Sequence, residues 1–151
     1  MKKEEQLELF KQRCKESGIK LTPQRLIIYE RLINTNGHPT VETLYSQIRE
    51  SFPTISQDTV HRTLVTFCDI GVASMVEGTG IPKRFEGNLD NHHHVHCVKC
   101  GRIYDFYNEE YDRLSVPQEV SKHFEVLRKT VHIEGICKSD CSASEEINPP
   151  V

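Results

Sequence analysis

Apolar positions in the first half of the chain recur at helical spacing. Leu7, Phe10 and Cys14 form one stripe, which Gly18 closes. Thr22 followed by Pro23 is an N-cap and a first-turn proline, a position where the missing N–H costs nothing. The helix that follows is expected to bury Leu26, Ile27, Leu32 and Ile33 and to end at Asn36-Gly37. A third helix is predicted from the cap Thr40, with Val41, Leu44, Tyr45 and Ile48 as its apolar stripe. A fourth begins at the cap Ser56 and presents Val60, Leu64 and Phe67 before Gly71 stops it.

The texture then changes. Val72–Glu77 and Ile81–Glu86, separated by Gly78-Thr79-Gly80, read as a β-hairpin. Helices followed by a hairpin is the order of a winged helix, in which the last helix enters the DNA major groove. A helical domain with a small β-appendage has the same pattern. Gly87–Asn91 is polar and turn-rich, as a hinge would be. Beyond it, His92–Cys97, Arg102–Phe106 and Val126–Ile136 suggest strands. A helix is expected from Glu109 to about His123, started late or broken by Pro117. The polar tail from Ser142 to Val151 is expected to fray.

With 151 residues, 36% of them apolar, the chain has enough material for one or two small domains. No apolar run reaches the ~20 residues of a membrane span. The start MKKEEQLELF carries acidic residues where a secretory segment would be apolar, so a cytoplasmic protein with no membrane partner is expected. Net charge is −3 and names no ligand. Residues 1–83 carry eleven Lys/Arg against ten Asp/Glu, and 84–151 carry eight against twelve. Nucleic-acid binding must therefore rest on pattern rather than bulk charge.

Six cysteines in a cytosolic chain point to metal or redox chemistry rather than a disulfide framework. Cys97-Val-Lys-Cys100-Gly and Cys137-Lys-Ser-Asp-Cys141 are two short-spaced couples that together supply a tetrahedral S4 set, for which zinc is the usual ion. An iron–sulfur cluster uses the same donors, and a thioredoxin-like couple or two separate disulfides are further alternatives. Cys14 and Cys68 sit on apolar helix faces and read as small buried hydrophobes. In Asn91-His92-His93-His94-Val95-His96, strand alternation sends His92, His94 and His96 to one face and His93 to the other. His92 and His94 can converge on one ion, with Asp105 and Glu86 as nearby carboxylates. Such a mixed N/O set suits iron, manganese or zinc. His38 precedes Pro39, which biases it toward an extended conformation projecting from its loop.

In combination, Gly18-Ile-Lys-Leu-Thr-Pro-Gln-Arg25, His38-Pro-Thr, Ser56-x-x-Thr-Val-x-x-Thr-Leu64, Arg84-Phe-Glu86, His92-x-His94, the couple Cys97/Cys100 followed by Gly101-x-Ile-x-Asp-Phe106, and the C-terminal couple resemble the ferric uptake regulator superfamily of metal-dependent repressors. The resemblance spans roughly residues 8–141. It implies an α+β protein with a winged-helix DNA-binding domain over 1–86, a hinge over 87–91 and an α/β dimerisation and metal-binding domain over 92–151. It also implies a homodimer on double-stranded operator DNA. By the same carry-over, Cys97, Cys100, Cys137 and Cys141 hold structural zinc. His38, Glu86, His92, His94 and Asp105 hold a regulatory Fe(II) or Mn(II).

Asp105, where much of the family has glutamate, resembles the peroxide-sensing branch. There iron and hydrogen peroxide oxidise ligand histidines, which here would be His38 and His92. Glu86 departs from that branch, which typically has aspartate, so an iron-responsive repressor is the alternative and a zinc sensor the third. His61 replaces a tyrosine usual in the recognition helix. An imidazole still donates to a phosphate or base, so altered sequence preference is expected. Arg62 is the expected contact beside it, with Gln57 and Thr63 as neighbours. His123 and His132 are displaced from the positions of a further metal site in some relatives, and no second sensor site is assigned. A zinc-dependent hydrolase is the reading from another class, but no nucleophile–base pair or substrate motif accompanies the histidines, and no enzyme is expected.

Overall fold

The computed structural model describes residues 1–76 and 82–138. The chain separates into two compact units, one covering Met1–Asp90 and the other beginning at Asn91.

The N-terminal unit contains α1 (Lys3–Glu16), α2 (Pro23–Asn34), α3 (Val41–Ile48) and α4 (Gln57–Asp69), then the antiparallel strands β1 (Ser74–Val76) and β2 (Arg84–Glu86). This is the winged-helix order. The predicted caps are present. Hydroxyls of Thr22, Thr40 and Ser56 accept from the backbone N–H groups of Arg25, Thr43 and Thr59 at 3.3, 3.2 and 3.1 Å, satisfying donors that a helix start leaves without partners. Gly71, at φ +73°, ends α4 in the left-handed conformation that glycine adopts without strain. The expected hairpin turn at Gly78–Gly80 lies outside the described residues.

An aromatic trio anchors the core. Phe10 stacks on Tyr29 at 4.2 Å between ring centroids, and Phe67 meets both edge-on at 5.1 and 5.5 Å. Around them Ile28, Leu32, Leu44, Ile48, Val60 and Leu64 are fully or almost fully buried. The expected inner face of α2 requires correction. Ile28, Tyr29 and Leu32 are its buried residues, whereas Leu26, Ile27 and Ile33 are half-buried at its flanks. Four consecutive apolar residues, Leu26 to Tyr29, occupy most of one helical turn, so spacing alone did not select the centre of the face.

The C-terminal unit is built on a three-stranded sheet of β3 (His93–Cys97), β4 (Ile103–Phe106) and β5 (His132–Gly135), in the order β4-β3-β5. β3 pairs antiparallel with β4 and parallel with β5. The segment from Glu109 to about His123, where Pro117 is expected to delay or break a helix, is interrupted and holds only two single turns, α5 (Glu109–Asp112) and α6 (Gln118–Ser121). Pro117 stands at the N-cap of α6. Proline cannot donate into a continuous helix and disfavours helical geometry in the residue before it. The strand expected over 126–136 is confined to His132–Gly135 because β5 pairs only with β3, and their register runs from His94↔His132 to Cys97↔Gly135. The tail from Ser142 lies outside the described residues.

Candidate metal centres

Strand pairing assembles a thiol cluster. Cys97 ends β3, and Gly101 reverses the chain at φ +76° while its N–H bonds the Cys97 carbonyl at 2.8 Å. This turn sets Cys100 beside Cys97. The parallel strand β5 delivers Cys137 to the same place, and the three sulfurs lie within 4.8 Å of one another. The Cys137 N–H donates to the Cys97 sulfur at 3.4 Å. Backbone N–H groups of Cys100 and then Cys137 lower the Cys97 pKa to about 6, against an ordinary 9. A thiolate is thus favoured there before any ion arrives, which is the state a metal needs. Tyr104 supports the cluster from β4, with its hydroxyl 3.5 Å from the Cys137 sulfur. That hydrogen bond, followed by burial, pushes the Tyr104 pKa up to about 12, so its proton stays on as a donor to sulfur. These donors fit zinc in a sulfur-rich shell. Cys141, the fourth predicted ligand, lies outside the described residues.

Nitrogen and carboxylate donors collect separately in each unit. In the N-terminal unit, the loop before α3 runs beside β2. The Phe85 N–H bonds the Pro39 carbonyl at 2.9 Å, and the Arg84 guanidinium donates to the His38 carbonyl at 2.9 Å. These bonds set the His38 ring against Glu86, Nε2 to Oε2 at 3.1 Å, with both side chains buried. Ser74 on β1 donates to the other carboxylate oxygen at 3.0 Å. The sequence pattern did not single out Ser74. Its position opposite Glu86 follows from the β1–β2 register.

In the C-terminal unit, His92 and His94 turn their Nε2 atoms to 3.1 Å from each other. Asp105, opposite His94 across the β3–β4 pair, brings Oδ1 to 3.4 Å from His94 and 3.7 Å from His92. Two imidazoles and a carboxylate with donor atoms this close form a set that suits iron, manganese or zinc. His93 projects to the other side, as alternation predicts, and both its nitrogens are occupied. Nε2 lies 3.1 Å from Asp112 Oδ1, and Nδ1 accepts from the Val131 N–H at 3.1 Å. It is a satisfied core histidine.

Gln57, His61 and Arg62 are exposed on α4, where Arg62 pairs with Asp58 at 3.0 Å. Thr63 requires correction. It lies on the buried side with Val60, Leu64 and Phe67, because residues three and four apart share a helix face. Cys14 is buried and Cys68 half-buried. Burial pushes both thiol pKa values up, that of Cys68 to about 11, so these sulfurs are poor thiolates.

Residues 16–134 match the profile of the Ferric uptake regulator family. The peroxide-responsive repressor PerR of Staphylococcus epidermidis is 35% identical over 127 residues, covering 82% of this chain and 83% of its own. PerR of Staphylococcus aureus is also 35% identical, over 82% of this chain and 84% of its own. Among solved structures, the Helicobacter pylori ferric uptake regulator Fur, described as having three functional metal binding sites, superposes with a TM-score of 0.74. It is 25% identical and covers 96% of this chain and 97% of its own. The chain belongs to the ferric uptake regulator family of metal-responsive transcriptional regulators.

Proposed function

We propose that this protein is a metal-dependent transcriptional repressor of the peroxide-sensing type, acting in the cytoplasm as a homodimer on double-stranded operator DNA. Residues 1–86 read DNA through Gln57, His61 and Arg62 on α4, which are exposed together. Residues 87–91 act as the hinge, and residues from 92 onward pair two copies and hold the metals. Structural zinc sits among Cys97, Cys100, Cys137 and Cys141. The regulatory Fe(II) or Mn(II) takes His38 and Glu86 from one unit and His92, His94 and Asp105 from the other. The observation carrying this reading is that each unit separately converges its share of the ligands, at 3.1 Å for His38–Glu86 and 3.1–3.7 Å among His92, His94 and Asp105.

Ligands on both sides of a hinge couple ion binding to domain arrangement. An ion bound more tightly in one arrangement shifts the population toward it, and only by that difference in affinity. The arrangement sets the spacing of the two recognition helices on a two-fold operator. Ferrous iron held by these residues would supply the electrons that cleave hydrogen peroxide beside the ligand rings. One peroxide oxygen would then enter a ring carbon of His38 or His92 while the other leaves as water, and the weakened imidazole donor would loosen the coupling and release DNA. The PerR relatives support this reading, and Asp105 accords with it. Glu86 and the likeness to Helicobacter pylori Fur favour an iron-responsive repressor as the second reading.

Anaerobic operator titration with iron, and separately with manganese, followed by peroxide, distinguishes them. Peroxide sensing predicts that the iron form loses DNA and gains the mass of one oxygen on His38 or His92, while the manganese form resists. If both forms keep DNA and unmodified histidines, the iron-responsive reading replaces it.

A further inference from the structure

A second group of nitrogen and oxygen donors converges on the C-terminal sheet, apart from the ligands assigned above. His96 on β3 and His132 and Glu134 on β5 each offer one ligand atom, and these atoms lie within 4.8 Å of one another. The parallel register accounts for the meeting. His96 stands opposite Glu134, and His94 opposite His132. Residues facing each other across neighbouring strands, and residues two apart along a strand, project from one face. The His96 and His132 ring centroids are 6.2 Å apart.

The two donor sets use opposite edges of β3. His92, His94 and Asp105 draw on the β3–β4 pair, whereas His96, His132 and Glu134 draw on the β3–β5 pair. Glu134 and His132 are exposed and His96 is half-buried, so an ion can arrive from solvent and complete its shell with water. The buried Nδ1 of His96 has no hydrogen-bond partner among the described residues. Its ring is therefore not fully committed to the fold, in contrast to His93, whose two nitrogens are both used.

We propose that His96, His132 and Glu134 form a further, solvent-open site for a divalent transition ion, best suited to zinc. Two neutral imidazoles favour zinc, nickel or copper(II) over magnesium or calcium, and a single carboxylate fits the mixed N/O shells that zinc accepts. With three protein donors and water, the site binds more weakly than the closed thiolate site. An ion held there fastens β5, the strand that leads to Cys137, to β3, the strand that ends at Cys97. The inference does not depend on DNA binding or on peroxide sensing.

The test uses the full chain with its thiolate site already filled, titrated with zinc by equilibrium dialysis alongside His132→Ala and Glu134→Gln. Both replaced side chains are exposed, so retained amide signals for β3 and β5 are expected and serve as the folding control. The parent takes up one zinc equivalent more than His132→Ala, and Glu134→Gln weakens that last equivalent at least about tenfold. Ring signals of His96 shift as it fills in the parent and stay fixed in His132→Ala. Failure of the regulatory-site reading lowers the total uptake of parent and variant equally and leaves this difference intact. Equal zinc uptake by parent and His132→Ala, or a His96 ring unmoved at saturating zinc, overturns the proposal.

Discussion

The two units solve the problem of staying folded in different ways. The N-terminal unit buries an apolar core around Phe10, Tyr29 and Phe67, and hydroxyl caps start α2, α3 and α4. The C-terminal unit leaves Phe124, Ile136 and Leu127 exposed at 70%, 63% and 90%, and gathers buried polar and sulfur ligands instead. Small units with thin cores need metal or a partner subunit. Under the proposed reading this unit has both. On that reading the N-terminal unit holds its own fold, whereas the C-terminal unit depends on what it binds.

The largest predicted effect follows from that dependence. Structural zinc sites contribute on the order of 10–16 kcal/mol of apparent binding energy to folding. Stripping zinc with a chelator, or replacing Cys97 with Ser, is expected to collapse the dispersed amide signals of residues 92–138. Those of α1–α4 should persist. Concurrent loss of both sets would mean that the N-terminal unit is not self-sufficient.

Next in size is the apolar core. Phe67→Ala removes the ring that meets Phe10 and Tyr29 edge-on. It should cost about 3–5 kcal/mol, read as a lower urea midpoint for the N-terminal unit with zinc content unchanged.

The units should also diverge with pH. Burial raises Cys68 to about 11 from 9 and Tyr29 to about 12 from 10. The unfolded chain ionises first at these groups, so between about pH 9 and 12 the folded chain holds more protons and stability of the N-terminal unit falls as pH rises. Cys97 has the opposite sign. Its pKa is depressed to about 6, so its contribution is fully present above about 9 and is lost as pH falls through about 6. Urea midpoints should therefore drop on the alkaline side for the N-terminal unit, and zinc should leave the C-terminal unit on the acid side. The smallest effect is expected at a cap: Ser56→Ala should lower stability by about 1 kcal/mol, because only the bond to Thr59 N–H is lost.

The same contrast governs what could be read from the sequence. In the N-terminal unit, caps, proline placement and apolar spacing are local signals, and the helix starts after Thr22, Thr40 and Ser56 appear where those residues put them. The rotation of α2 carries no such local mark, because Leu26–Tyr29 offers no polar residue at the edge of the face, and Thr63 turns inward beside Val60, Leu64 and Phe67. In the C-terminal unit the decisive contacts are non-local. Alternation separated His93 from His92 and His94, but the parallel β3–β5 register is written in no local pattern. That register determines the meeting of Cys137 with Cys97 and of His132 with His96. The support given by Ser74 and Tyr104 is equally non-local: Ser74 acts across the β1–β2 pair, and Tyr104 reaches from β4 to Cys137, beyond β5.

The measurement that bears most directly on the proposed coupling is an anaerobic manganese titration of zinc-loaded His38→Ala against the parent chain. If the regulatory ion takes ligands from both units, the variant loses at least the about 10–100-fold in affinity that even an outer-shell partner is worth, and keeps its structural zinc. Unchanged manganese affinity in His38→Ala would remove His38 from the ligand set and contradict the account.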